Sequence, residues 1–257
     1  MKAFLSAAAG LFLLGTSSAI AQDSTFSDAQ REEIRGMIGD YILENPELIE
    51  EALIELQRRA QQREIEAMMG AIRANADLIY SDERDPSFGP DDAPIVIVEF
   101  MDYKCGYCRI ASQWVNEARE TYGDQIRIVF KEYPILGPES REAARAAMAA
   151  LRQGDEIYWR FHTAMVQSSG PLPSGRIENF ARLAGVDIEQ MQADMEDPEI
   201  EVYLEQTYAL ARAVGADGTP FFIINGQPVS GANRNALDQI LANELSAVQR
   251  AEAGSGE

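Results

Sequence analysis

The chain has 257 residues, two cysteines, one histidine and a formal net charge of -20, from 22 Lys+Arg against 42 Asp+Glu. Its length allows one or two domains with ample core, and 46% hydrophobic with 25% charged residues excludes a disordered chain. The acidity argues against nucleic acid as a partner, and two cysteines can neither staple a scaffold nor complete a four-thiolate zinc site.

Met1-Lys2 is followed by an apolar run from Ala3 to about Leu14, then by small residues at Ala19 and Ala21. The run is shorter than the ~20 residues a membrane span needs. It predicts a signal peptide over 1–21, cleaved after Ala21, and a mature chain exported from Gln22 to the periplasm. Disulfides are permitted there.

Residues 22–81 read as helical. Ser27 and Gln30 fit a capping box, and Ile34, Met37, Ile38, Tyr41 and Ile42 follow helical spacing. Asn45-Pro46 is expected to start a second helix. Ile49, Leu53, Leu56 and Ala60 line one face of it. After a polar break at 61–64, Ile65, Met69, Ile72, Ala76 and Ile79 continue the pattern. This is close to a heptad seam and predicts self-association as a dimer or trimer, against the alternative that the stripe packs on its own chain. Residues 82–94, rich in Pro, Gly and Asp, read as a linker.

From Ile95 the texture changes. Ile95–Phe100 is a buried-type strand. A helix starts near Cys105-Gly106-Tyr107-Cys108 and ends at Gly123, and Ile126–Phe130 is a second strand. Strand, helix, strand is a βαβ unit with parallel strands. Helices are predicted to 214, one of them capped by Asp187 with Gln190, and Gly215 stops the last. Phe221–Ile224 and Gln227–Val229 flank Asn225-Gly226, a hairpin signal, and Pro228 puts the second strand at an edge. A last helix runs from about Asn233 to Arg250, with a tail over 251–257.

The chemistry sits at the C-x-x-C pair. At a helix start Cys105 meets unpaired backbone N–H groups and the positive end of the helix dipole, which favour the thiolate. Cys108, one turn on, is placed to attack a mixed disulfide formed at Cys105. A structural disulfide is the poorer reading: a four-residue loop stabilises by only about 2 kcal/mol, against about 4.7 for a 100-residue loop. Half a metal site finds no further cysteine, and His162 lies far along the chain. His162 is expected to be a satisfied or surface histidine. No cofactor or resident metal is expected. Glu99 and Lys131 sit on the two strands. If those strands are neighbours, both side chains could lie beneath the thiols and relay protons, or form a plain strand-end ion pair. Pro220, before a strand, could close an ordinary turn.

These residues resemble a known family. Val98–Arg109 with Cys105-Gly106-Tyr107-Cys108, then Phe130–Pro134, then Gly218–Phe222, are similar in order and spacing to secreted thioredoxin-fold proteins of the DsbA type, over roughly 88–250. The resemblance implies an α/β thioredoxin fold over 95–250 with a helical insertion at about 138–213, preceded by the N-terminal helices. It implies a cis Pro220 facing the active site, with Thr219 beside it, and it matches Glu99 and Lys131 to the family's buried acid and lysine. Gly106-Tyr107 and Thr219 resemble the DsbC-like isomerases, whereas oxidases usually carry Pro-His and Val there. Gly106, Tyr107, Thr219 and Pro220 are thus the expected substrate-binding positions. The 27–81 segment resembles the N-terminal region of ScsC-like proteins.

The resemblance implies an exported disulfide isomerase or reductase acting on client proteins and kept reduced by a membrane-linked redox partner. A DsbA-type oxidase is the alternative within the class. A periplasmic copper-binding or holdase protein is the alternative outside it.

Overall fold

The computed structural model describes residues 26–254, so the expected signal peptide, its cleavage site and residues 255–257 lie outside the described residues. The chain divides into two compact units that meet at Arg59 and Ala60, earlier than the boundary at 81 predicted above.

The first unit holds α1 (Asp28–Glu44) and the start of α2 (Glu47–Ala74). The capping box forms: Gln30 N–H donates to Ser27 Oγ at 3.3 Å, and Ser27 N–H donates to Gln30 Oε1 at 2.9 Å. Asn45 closes α1 instead of opening α2, because its N–H and Nδ2 both donate to the Tyr41 carbonyl. The break expected at 61–64 is absent. Gln, Arg and Glu are strong helix formers, and polarity alone does not end a helix. Within 26–59, α1 buries no residue, and Met37, Ile38, Tyr41, Leu53, Ile54 and Leu56 are each more than half exposed.

The second unit runs through α3 (Ala76–Tyr80), β1 (Ser87–Phe88), β2 (Ile95–Met101), α4 (Gly106–Tyr122) and β3 (Ile126–Glu132). Five helices follow: α5 (Pro138–Leu151), α6 (Asp155–Val166), α7 (Ser174–Ala184), α8 (Ile188–Met195) and α9 (Pro198–Ala213). The chain closes with β4 (Phe221–Ile224), β5 (Gln227–Ser230) and α10 (Arg234–Gly254), which extends into the expected tail. The sheet order is β1-β3-β2-β4-β5, with β2 and β3 parallel and the other neighbours antiparallel. Asn225 (φ 45°) and Gly226 (φ 89°) turn the β4–β5 hairpin with the left-handed backbone that such a turn needs, and Pro228 lies on the edge strand.

The sheet separates two cores. Ile95, Ile97, Met101, Ile128, Phe130 and Phe222 face α4 and the helical insertion. Val98, Phe100, Val129, Phe221 and Ile223 face the other way, onto Ile72, Ile79, Leu210 and Ala211. Two expectations are corrected here. Ile72 and Ile79, read as part of an oligomer seam, are buried in this unit's own core. The 82–94 segment is not a plain linker: β1 pairs antiparallel with β3, and Phe88 and Asp85 are buried. Gly89 (φ 110°) lets the chain leave β1, where a Cβ would collide with the Ile126 carbonyl.

Candidate active site

Strand β2 delivers the chain to the dithiol, and a short loop held by Asp102 fixes its path. Buried Asp102 accepts the Lys104 N–H through Oδ1 at 2.8 Å and the Ile135 and Leu136 N–H groups through Oδ2 at 2.9 Å. Its carbonyl accepts the Cys105 N–H. Cys105 is the N-cap of α4, so its sulfur sits among free N–H groups at the positive end of that helix. Cys108 lies one turn in and is fully buried; Tyr107 between them is 66% exposed and Gly106 is also exposed.

The two thiols, both free, are chemically unequal. A hydrogen bond from Cys108 is the largest influence on Cys105. Burial opposes it, while the Thr219 side chain and the N–H groups of Cys108 and Tyr107 reinforce it, and the Cys105 pKa falls to about 5. Burial, the hydrogen bond to Cys105 and the nearby Glu99 charge push Cys108 far up. At neutral pH the pair is therefore one thiolate and one thiol. As a thiol, Cys105 donates to the Thr219 carbonyl at 3.1 Å. The Thr219–Pro220 bond is cis, which brings this loop against the sulfur.

Glu99 and Lys131 do not come together beneath the thiols. In the β2–β3 register Glu99 faces Phe130 and Lys131 faces Phe100. Alternation along the strands therefore sends Glu99 to the dithiol face and Lys131 to the opposite face. Lys131 is almost fully buried there, donating to Asp85 and to the Leu78 carbonyl, while Tyr203 Oη donates to the other Asp85 oxygen at 2.7 Å. Burial raises the Asp85 pKa to about 6 against the pull of Lys131. The Glu99 side chain makes no hydrogen bond among the described residues, while its backbone lies in the β2–β3 and β2–β4 ladders. Burial first, then the Cys105 and Glu132 charges, raise its pKa well above the usual range.

Glu132 was missed in the sequence and takes the second place on the dithiol face. It is fully buried. Oε1 accepts from Tyr103 Oη at 2.8 Å and from Tyr158 Oη at 3.0 Å. Tyr103 Oη lies 3.0 Å from His162 Nδ1, so His162 is a satisfied buried histidine, and burial pulls its pKa down to about 3. Burial raises Glu132 to about 8. Strand parity was the available signal, since Glu132 stands two residues beyond Phe130, whose ring faces the dithiol side. Tyr158 and His162 belong to α6 and carried no signal of their own.

The chain is similar to several known proteins. A solved thioredoxin-like oxidoreductase from Silicibacter pomeroyi is 35% identical, covering 68% of this chain and 97% of its own, with a TM-score of 0.60. Proteus mirabilis ScsC in a transitional conformation is 26% identical over 87% of this chain and 98% of its own, with a TM-score of 0.63. An Na(+)/H(+) antiporter NhaA of Herminiimonas arsenicoxydans is 32% identical over 150 residues, 58% of this chain. The match spans 24% of that antiporter's length, so the chain covers about a quarter of such curated relatives. Residues 30–63 match the copper resistance protein ScsC N-terminal domain. Residues 96–241, which contain the dithiol, both buried glutamates and the cis-proline loop, match the DSBA-like thioredoxin domain, and the chain belongs to that family.

Proposed function

We propose that the protein is a thiol–disulfide oxidoreductase for exported client proteins, working as an isomerase or reductase. The observation that carries the reading is the asymmetry of the dithiol: a Cys105 thiolate held at the start of α4 against Thr219–Pro220, and a buried, protonated Cys108 behind it. The Cys105 thiolate attacks a client disulfide, forming a mixed disulfide and releasing one client thiolate. Either that client thiolate rearranges the client's other bonds, or Cys108 displaces the client from Cys105. In the second route Glu99, on the dithiol face, takes the Cys108 proton.

Gly106, Tyr107, Thr219 and Pro220 are the client-binding positions of this reading, with Tyr107 the exposed apolar contact and Pro220 buried behind Thr219. The isomerase direction is supported by the Gly-Tyr dipeptide and Thr219, which tune thiolate stability and client release. It requires a reduced Cys105 and hence a membrane-linked electron donor. A periplasmic location is supported by the Met1–Ala21 sequence pattern. Among the described residues no helix is long and apolar enough to cross a membrane. Self-association through 26–59 is supported by its exposed apolar stripe and by the ScsC-type match at 30–63. Several active sites around one client would raise their effective concentration.

Refolding of a scrambled disulfide protein by the reduced chain tests the reading. Native activity should return, and less of it after deletion of 22–59. Fast oxidation of reduced clients with no recovery of scrambled ones would make the protein an oxidase. Tight copper binding lost in Cys105→Ser, with no exchange catalysis, would make it a metal-binding protein.

A further inference from the structure

Glu132 is a buried carboxyl that the reaction above does not use. Its Oε1 holds two tyrosine hydroxyls, yet its Oε2 is buried with no hydrogen-bond partner. Leaving a buried acceptor unsatisfied costs about 1–3 kcal/mol, and more for a charged group, so a purely structural tie for two tyrosines would favour a neutral side chain. Glu99 pairs with Phe130, and Met101 pairs with Glu132. The two glutamates therefore occupy diagonal positions on neighbouring parallel strands, on one face. Strand spacing and rise put their Cα atoms roughly 8 Å apart. Among the described residues no cation stands with them: Lys131 is on the far face with Asp85, and Lys104 pairs with Glu139.

We propose that Glu99 and Glu132 form a coupled acid pair in which Glu132 is a positioning residue, setting the pH at which Glu99 can take the proton of Cys108. The inference rests on the oxidoreductase reading for its consequence but not for the coupling itself. In the resolving step the Cys108 S–H bond breaks and its proton passes to the Glu99 carboxylate. The Cys108 sulfur bonds to Cys105 Sγ, the bond from Cys105 to the client sulfur breaks, and the client leaves as a thiolate. One negative charge is present before and after. That step needs Glu99 ionised, and a negative Glu132 nearby opposes ionisation. The other titratable groups around Glu132 are Tyr103, Tyr158, Tyr203 and Asp102, with His162 against the first two tyrosines, and none is a cation at neutral pH. Tyr103 joins the pair to the active-site loop, two residues before Cys105.

Carboxyl titration by carbon NMR on the full chain with labelled glutamate tests the coupling without any client. In Glu132→Gln the Glu99 midpoint should fall by at least half a pH unit, whereas in Glu99→Gln the Glu132 midpoint should hold, because Glu132 gives up its proton while Glu99 is still neutral. The Gln variant keeps an acceptor for both tyrosines. An unchanged Glu99 midpoint in Glu132→Gln would overturn the proposal and leave the oxidoreductase reading intact. Release of a preformed mixed disulfide supplies the second readout. Its pH profile should move to lower pH in Glu132→Gln, with the alkylation midpoint of Cys105 moving less. A profile lower in amplitude but unmoved in pH would mark Glu132 as a structural tie alone. Should Glu132→Gln fail to fold, the Glu99 carboxyl signal of the unaltered chain decides: a second inflection at the Glu132 midpoint supports the pair, and its absence overturns it.

Discussion

The two faces of the sheet each bury ionisable groups, and they settle them in opposite ways. On the outer face Lys131 and Asp85 neutralise each other, with Tyr203 and the Leu78 carbonyl filling the remaining positions. On the dithiol face Glu99 and Glu132 share no counter-ion, and burial holds both above the ordinary carboxylate range. The closed pair lies on the face away from the thiols and exchanges no proton with them. The uncompensated acid beside a thiol can, and its position marks the reacting side of the sheet. The lysine, read from the sequence as a proton-relay partner or a plain strand-end ion pair, ties the 75–88 segment to the core.

The contrast breaks most sharply at Lys131. Lys131→Met should destabilise the fold by about 3–5 kcal/mol, because Asp85 is left buried and unpaired. Chemical denaturation measures this, and the alkylation midpoint of Cys105 should hardly move. A large movement of that midpoint would return Lys131 to the active site.

On the other face, Glu99→Gln should slow release of the mixed disulfide by about 10²-fold, the low end for a positioned acid–base group. It should not lower stability. A raised carboxyl supplies stability below its ordinary pKa and loses it as pH rises, so the neutral amide should gain relative to wild type as pH climbs above the ordinary carboxylate range. A rate that stays level with wild type would remove Glu99 from the reaction.

The thiolate gives a pH signature of its own. Iodoacetamide should trap Cys105 with a midpoint near pH 5. Because the folded pKa is depressed, the thiolate's contribution to the dithiol form is complete above the ordinary thiol pKa of ~8.5. It is lost as pH falls through about 5. Paired denaturation curves of dithiol and disulfide forms should therefore converge toward acid. Curves that keep a constant gap from pH 8 to 4 would contradict the low pKa.

The smallest effect is expected at Tyr203→Phe, which removes one donor from Asp85 and should cost about 1 kcal/mol with no change in exchange rate. An altered rate would show that the outer face reaches the chemistry after all.

Much of this was legible in the chain. The βαβ order, the helix caps, the Asn225-Gly226 hairpin and the dithiol at the start of α4 follow from local periodicity and turn chemistry. The N-terminal segment was legible as helix but not in its partition. Its apolar spacing is continuous, yet Ile72 and Ile79 are covered by the second unit's core while Leu53 and Leu56 stay exposed. Composition hid the 82–94 segment, whose turn residues also permit a two-residue strand and a buried aspartate.

The sequence by itself determined the reacting atoms: two thiols three residues apart after a buried strand, where free N–H groups must face the first of them. Only the tertiary structure decided their environment. Which acid sits behind the thiols depends on strand pairing and pleat, and Glu132 stands one residue from Lys131 in the chain yet on the other side of the sheet. Of the two tyrosines that hold it, Tyr158 arrives from a helix farther along the chain, with His162 beside the tyrosine hydroxyls, and no local pattern encodes that meeting.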